Sequence, residues 1–149
     1  MTISSSGHKH VKRIDFDALA TGENFHHLRT YSTTKLLTIL FTTELARRLA
    51  GTAVTANAAD PGFVHTRLGR DAPGAFGLFL KAAQPFQLTP AKAATTPIYL
   101  ATTPALAADT GGYYAKSSPT NPSALAQDHS AAARLWSLST ELVTRKAPR

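Results

Sequence analysis

The sequence predicts an α/β fold built on a parallel sheet. Three observations carry this expectation. Strand-like and helix-like segments alternate along the chain. The best helix has its apolar residues on one side. The segment after it is short, rich in alanine, and halted by Pro61-Gly62. With 149 residues, 43% hydrophobic and 17% charged, the chain suits one domain with a buried core.

Residues 1–6 read as the end of a strand running into a loop. Residues 7–30 are polar and mixed and read as loop with a short turn of helix. Over 31–50, Leu36, Leu37, Leu40, Phe41, Leu45 and Leu49 recur at spacings of three and four, the period of one helix face. Glu44, Arg47 and Arg48 give that helix a charged side. The arginines complement the dipole at its C-terminal end, and Gly51 supplies a stop. Residues 52–60 favour a strand through Val54 and the threonines, and their alanines suit close packing by helices on both faces.

Residues 63–90 form a long connection, with glycines at 69, 74 and 77 and prolines at 73, 85 and 90. Phe76, Leu78, Phe79, Leu80 and Phe86 make it apolar for a loop, as covering lids often are. Thr89 as N-cap and Pro90 in the first turn predict a helix to about residue 103. Gly111-Gly112 turns into a short strand at Tyr113-Tyr114-Ala115-Lys116, where alternation puts one tyrosine in and one out. Residues 123–143 close the chain as a helix, with Leu135, Trp136, Leu138 and Leu142 on its apolar side.

Composition excludes several functions. There is no cysteine, so disulfides and thiolate metal sites are absent, and a reducing, cytoplasmic setting is expected. The first residues have no apolar core of a signal peptide, and no apolar run approaches the ~20 residues of a membrane span. The net charge is +7 and the isoelectric point about 10.1. Yet the basic residues are scattered, and no nucleic-acid motif accompanies them. His8 and His10, or His26 and His27, with Asp15 or Asp17, offer a weak metal set; histidines at the surface of polar loops are the commoner case. The glycines at 69, 74 and 77 do not form a phosphate loop, because Ala75-Phe76 follows Gly74 and no strand precedes Gly69 directly.

One pattern carries chemistry. Tyr31 and Lys35 lie four apart at the start of the best helix, on one face and about 6 Å apart along its axis. A free phenol titrates near pH ~10, and a neighbouring ammonium favours its anion. Such a tyrosine can trade a proton with a carbonyl/alcohol pair. By spacing alone an ordinary helix start with two exposed residues is the better explanation, since Tyr-x-x-x-Lys is common by chance.

Its context is more specific. Ile3-Ser4-Ser5 lies upstream, and Pro61-Gly62-Phe63-Val64-His65-Thr66 follows the next strand. This order resembles the short-chain dehydrogenase/reductase family: a strand ending in a serine, Tyr-x-x-x-Lys on a helix, then a strand ending in Pro-Gly with a threonine beyond. LTILFTTELARRLAGTAVTANAADPGFVHT and DHSAAARLWSLSTELV resemble the retinol-dehydrogenase and WW-domain-oxidoreductase-like branch in particular.

The resemblance implies an oxidoreductase that uses NAD or NADP to interconvert an alcohol and a carbonyl. Tyr31 would be the proton donor and acceptor. Lys35 would favour the tyrosinate and bond the nicotinamide ribose hydroxyls. Ser5 would hold the substrate carbonyl oxygen, with Ser4 and Ser6 as competing choices. Pro61, Gly62, Val64 and Thr66 would hold the nicotinamide end, Val64 through its backbone and Thr66 through its hydroxyl. The phenylalanines of the 67–90 loop imply a small lipophilic substrate.

The family's first strand, its glycine-rich pyrophosphate turn and its Asn-Ala-Gly strand end have no counterpart in these residues. The expected architecture is therefore the C-terminal half of a Rossmann-like doubly wound sheet, about three strands with flanking helices. Residues 1–149 form one truncated domain: 1–66 carry the catalytic and nicotinamide side, 67–90 the substrate loop, and 91–149 the C-terminal helices and last strand. The sheet edge facing the missing half would be open. The alternative is an inactive remnant or interaction module that pairs with a full-length relative or forms a homo-oligomer.

Overall fold

The structure, a computed structural model, describes residues 1–21, 25–64 and 87–146 together with positions 78, 83 and 85. The described strands are β1 (Thr2–Ile3), β2 (Ala58–Asp60), β3 (Tyr113–Ala115) and β4 (Ser118–Pro119). They form one sheet in the order β1-β2-β3-β4. The first three run parallel, with Ile3 opposite Ala59 and Ala59 opposite Tyr114. β4 returns antiparallel to β3, so the sheet is mixed and has one strand more than expected. That strand was hidden because its two-residue turn is Lys116-Ser117. Both residues take the left-handed conformation, φ 52° and 55°, without the glycine or asparagine that marks such turns.

Five α-helices surround the sheet among the described residues: α1 (Phe16–Thr21), α2 (His27–Arg48), α3 (Pro90–Ala93), α4 (Thr95–Thr102) and α5 (His129–Lys146). Helix α2 begins four residues before Tyr31, one turn earlier than its apolar period predicts. The added turn, His27-Leu28-Arg29-Thr30, has little or no buried surface to show in a pattern. Gly51, φ 84°, lies just past its C-terminal end as expected.

The single helix expected from 90 to 103 is two. Pro97 has no N–H to give the Ala93 carbonyl, so the ladder breaks at Ala94. Thr89 does cap it, accepting from Lys92 N–H at 3.3 Å. The last helix starts at His129 rather than 123, after a 3-10 turn over Ala124–Gln127. Its first turn is held by the Asp128 carboxylate, which accepts from the N–H groups of Ser130 and Ala131 at 2.8 and 3.0 Å. The strand predicted over 52–60 pairs only at 58–60, since Val54 stands out into solvent.

Helix α2 is the spine. Its Leu36, Ile39 and Leu40 pack with Ala58, Tyr113, Ala131, Ala132 and Leu135 in the main core, on the face of the sheet that also holds α5. Alternation along the strands puts Ala59 and Tyr114 on the other face, where α4 packs against β2. Both faces being covered, Tyr113 and Tyr114 are both buried, at 4% and 3% exposure, rather than one in and one out.

Three polar residues of α2 join its buried face against expectation: Ser32, Thr42 and Glu44. Thr42 Oγ1 donates to the Thr38 carbonyl at 2.7 Å, so Thr2 must donate to Thr42 across their 2.6 Å contact. This bond ties β1 to the helix. Glu44 is buried beneath Arg47, which bonds both carboxylate oxygens at 2.7 and 2.8 Å, and Arg48, which adds a third bond at 2.7 Å. These guanidiniums, Arg47 first, hold its carboxyl down at about 2. β1 is the last strand on its side among the described residues, and Ile3 is exposed there. Among the described residues no helix is long and apolar enough to cross a membrane.

Candidate active site

Parallel strands place their carboxyl ends together, and here the ends of β1 and β2 are neighbours. Ser4 and Ser5 leave β1 beside Asp60, Pro61 and Gly62 leaving β2. Open α/β sheets bind ligands at this kind of edge.

The three serines after β1 separate clearly. Ser4 is buried, and its hydroxyl donates to the Lys35 carbonyl at 2.8 Å, so it is spent on packing α2 to β1. Ser6 is exposed at the start of a 3-10 turn, Ser6–His10. Ser5 accepts from Gly7 N–H at 3.2 Å, which leaves its own proton to donate. A Cβ placed on Gly7 would lie 3.3 Å from Tyr31 Cε1 and 3.5 Å from Ser5 Oγ. The Ser5 hydroxyl and the Tyr31 ring edge therefore flank one glycine, with the Ser32 hydroxyl close by at 3.8 Å from the same point.

Tyr31 lies in the second turn of α2 and is 37% exposed. Lys35, one turn on, sets its ammonium 5.6 Å from the Tyr31 ring centroid. The same ammonium donates to the Ile3 carbonyl at 3.2 Å, which anchors it at the end of β1 with donors to spare. Ser5, Tyr31 and Lys35 thus form one group on the open corner where β1 meets α2.

The second strand end is shaped by Asp60. Its Oδ1 accepts from Gly62 N–H at 2.8 Å, closing a tight turn around Pro61. Gly62 has φ 81°, where a side chain is strained, and a Cβ there would come within 2.8 Å of Leu88 Cδ1 and push that side chain aside. Val64 bridges Leu88, and Leu88 N–H donates to the Phe63 carbonyl at 2.7 Å, so the long connection leaves and returns side by side. Thr66 lies outside the described residues, as does most of the 67–90 loop.

Sequence reasoning missed the buried polar layer under this corner. Asp60 Oδ2 accepts from the Tyr113 hydroxyl at 2.9 Å. Burial, then the Asp60 carboxylate, pushes the Tyr113 phenol well up. His8 packs edge-on against the Tyr113 ring, centroids 5.2 Å apart. Far from being a surface histidine, His8 is wholly buried, with both ring nitrogens engaged, and burial lowers its pKa. Among the described residues no group of three or more His, Asp or Glu side chains could hold a metal.

A cleft of about 1080 Å³ lies on the adjoining flank of α2, between residues 10–19 and 25–34. Val11, Arg13, Leu19, Phe25 and Leu28 line it; Ser5, Tyr31 and Lys35 do not. Phe25 and Leu28 are among the more exposed apolar side chains.

No protein-family model matches the chain. It is 38% identical over 133 residues to retinol dehydrogenase 14 of Homo sapiens, covering 87% of this chain and 40% of that protein. Over 143 residues it is 34% identical to retinol dehydrogenase 12 of Homo sapiens, covering 96% and 45%. Dehydrogenase/reductase SDR family member 13 of Bos taurus is 35% identical over 147 residues, covering 95% and 38%. A crystal structure of an uncharacterized protein from Mycobacterium Paratuberculosis superposes with a TM-score of 0.60 at 30% identity, covering 95% of this chain and 48% of that one. The chain thus spans less than half the length of these relatives. With this similarity running along nearly all of its residues, the chain is a homologue of the short-chain dehydrogenase/reductases, corresponding to the C-terminal half of that family's domain.

Proposed function

We propose that this chain carries the proton-transfer side of an NAD- or NADP-dependent oxidoreductase that interconverts an alcohol and a carbonyl. One observation supports it most: the Lys35 ammonium lies 5.6 Å from the ring of a partly exposed tyrosine, and Gly7 lies between that ring and the Ser5 hydroxyl, at the carboxyl ends of two parallel strands. In this reading Ser5 donates its proton to the substrate carbonyl oxygen and holds that oxygen beside Tyr31. Tyr31 gives the proton in reduction and takes it back in oxidation. Lys35 holds the tyrosine's field and has donors left for a pair of ribose hydroxyls.

The residues present fit the nicotinamide end of the cofactor. Pro61, Gly62 and Val64 follow β2 at the carboxyl end of the sheet, and in this reading Thr66 would join them through its hydroxyl. A bound nicotinamide supplies or accepts the hydride. The strand, glycine turn and helix that would grip a pyrophosphate are not among these residues. The phenylalanines of the 67–90 loop, together with relatives titled retinol dehydrogenase, favour a small lipophilic substrate. A cytoplasmic setting belongs to this reading through the cysteine-free composition.

Titrating the purified chain with NADH and NADPH by fluorescence tests it. Saturable binding that weakens in Lys35→Ala is expected. Binding to neither nucleotide overturns the claim that these residues suffice for the nicotinamide end.

A second reading rests on the exposed edge of β1. Ile3 is 43% and Met1 57% exposed there, an edge that another strand can extend. The chain would then act as an inactive module that pairs with a full-length relative or with itself. Size-exclusion chromatography with light scattering decides, since a monomer indifferent to such a partner contradicts pairing.

A further inference from the structure

The buried polar layer contains one side chain whose bonds reach directly into the Ser5 turn. His8 is 0% exposed. Its Nδ1 lies 2.7 Å from the Ser5 carbonyl oxygen, and its Nε2 lies 3.0 Å from the Ser123 backbone nitrogen. A carbonyl only accepts and a backbone N–H only donates, so Nδ1 must carry the ring proton and Nε2 must be bare. The ring is thereby fixed as one neutral tautomer. The Ser5 carbonyl also receives the His8 backbone N–H at 3.1 Å, so both donors of His8 grip the same oxygen. The ring edge rests on Tyr113, whose hydroxyl bonds Asp60, the residue that closes the Pro61-Gly62 turn.

We propose that His8 is a positioning residue for the candidate active site: its Nδ1–H fixes the Ser5 turn, and the Ser123 N–H, by occupying Nε2, keeps Nδ1 the donor. This rests on the oxidoreductase reading of Ser5 and Tyr31. His8 touches neither substrate nor cofactor in this account. It sets where the Ser5 hydroxyl points relative to Tyr31, and a displacement of the order of 1 Å at such a pair costs up to about 100-fold in rate.

Two variants of the full chain separate this role from packing. His8→Asn can place an amide N–H near the position of Nδ1 and loses the reach to Ser123. His8→Gln can place an acceptor near Nε2 and loses the donor to Ser5. In amide and aromatic NMR spectra, His8→Asn should leave Ser5, Gly7 and Tyr31 near their wild-type shifts while Ser123 N–H exchange accelerates. His8→Gln should shift Ser5, Gly7 and Tyr31 while Ser123 stays protected. In turnover, His8→Gln should lower kcat about 10- to 100-fold with the nucleotide KM unchanged, and His8→Asn should restore most of it. If both variants disturb the Ser5 turn alike, or neither does, His8 is core packing and the proposal fails. Should a variant not fold, the wild-type ring decides through its ¹⁵N correlations: protonated Nδ1 is expected, and protonated Nε2 overturns the proposal. The NMR arm needs no turnover. An inactive wild type with the expected NMR pattern therefore counts against the oxidoreductase reading and leaves the positioning geometry standing.

Discussion

Tyr31 and Tyr113 occupy opposite environments within one small sheet end. Tyr31 is 37% exposed and faces the Lys35 ammonium. Tyr113 is 4% exposed and gives its hydroxyl to the Asp60 carboxylate. A phenol beside a carboxylate in a dry site is held as a donor, and burial pushes Tyr113 far above the usual range. A phenol beside a cation and partly open to solvent is, in the proposed reading, the one that exchanges its proton. The same residue type thus serves structure at Tyr113, and in the proposed reading it serves chemistry at Tyr31, the two differing in their charged neighbour.

Variants can break each side of that contrast. The largest effect is expected at Lys35→Ala. Removing the cation should lower turnover about 10²- to 10⁴-fold, the range set by general acid–base contributions. Thermal stability should hardly change, because Lys35 makes one side-chain bond at a partly exposed site. Steady-state kinetics beside a thermal melt separates the two.

Asp60→Ala should do the reverse. It leaves the buried Tyr113 hydroxyl and the Gly62 N–H without their acceptor, so urea unfolding should show a loss of about 1–3 kcal/mol. A change below the error of the extrapolation would mean that water replaces the carboxylate, and that the contrast between the two tyrosines is weaker than drawn.

The smallest expected effect is a pH dependence at Glu44, on the same helix as Tyr31. Its carboxyl titrates at about 2 in the fold against 4.5 ordinarily. The pKa is depressed, so its contribution is present above 4.5 and is lost as pH falls from 4.5 towards 2. Melting temperature should decline over that window, and Glu44→Gln should flatten that part of the curve. Equal slopes in both proteins would show that the Arg47 and Arg48 pairing seen here adds no acid-labile stability.

The parts of this fold legible in the sequence were those with an unambiguous local signal. The apolar period of α2 from Leu36 onward, the Gly51 stop, the Thr89 cap and the Pro61-Gly62 turn each depend on neighbours a few residues away. The misreadings arose where distant contacts overrule local pattern. Glu44 looked like surface charge because its burial depends on how Arg47 and Arg48 fold over it. His8 looked like a loop histidine because its partner Ser123 is 115 positions away. Lys116-Ser117 carries no turn signature, and Pro97, which interrupts the run from Thr89 at Ala94, gives a weaker local signal than the Thr89-Pro90 start. The candidate corner was legible as a set, Ser5, Tyr31, Lys35 and Pro61-Gly62, through their order along the chain. Which serine faces Tyr31 was not, because Ser4 and Ser5 differ only in which side of the strand end they leave.

The central claim is that Tyr31 is the proton donor and acceptor of this corner, and Tyr31→Phe tests it most directly because it removes one oxygen from a half-exposed ring. Carbonyl reduction with NADH or NADPH should be followed for the wild type and the variant alongside their thermal melts. The account predicts matching melts and turnover lowered by at least about a hundredfold in the variant. Near-wild-type kcat in Tyr31→Phe would contradict it.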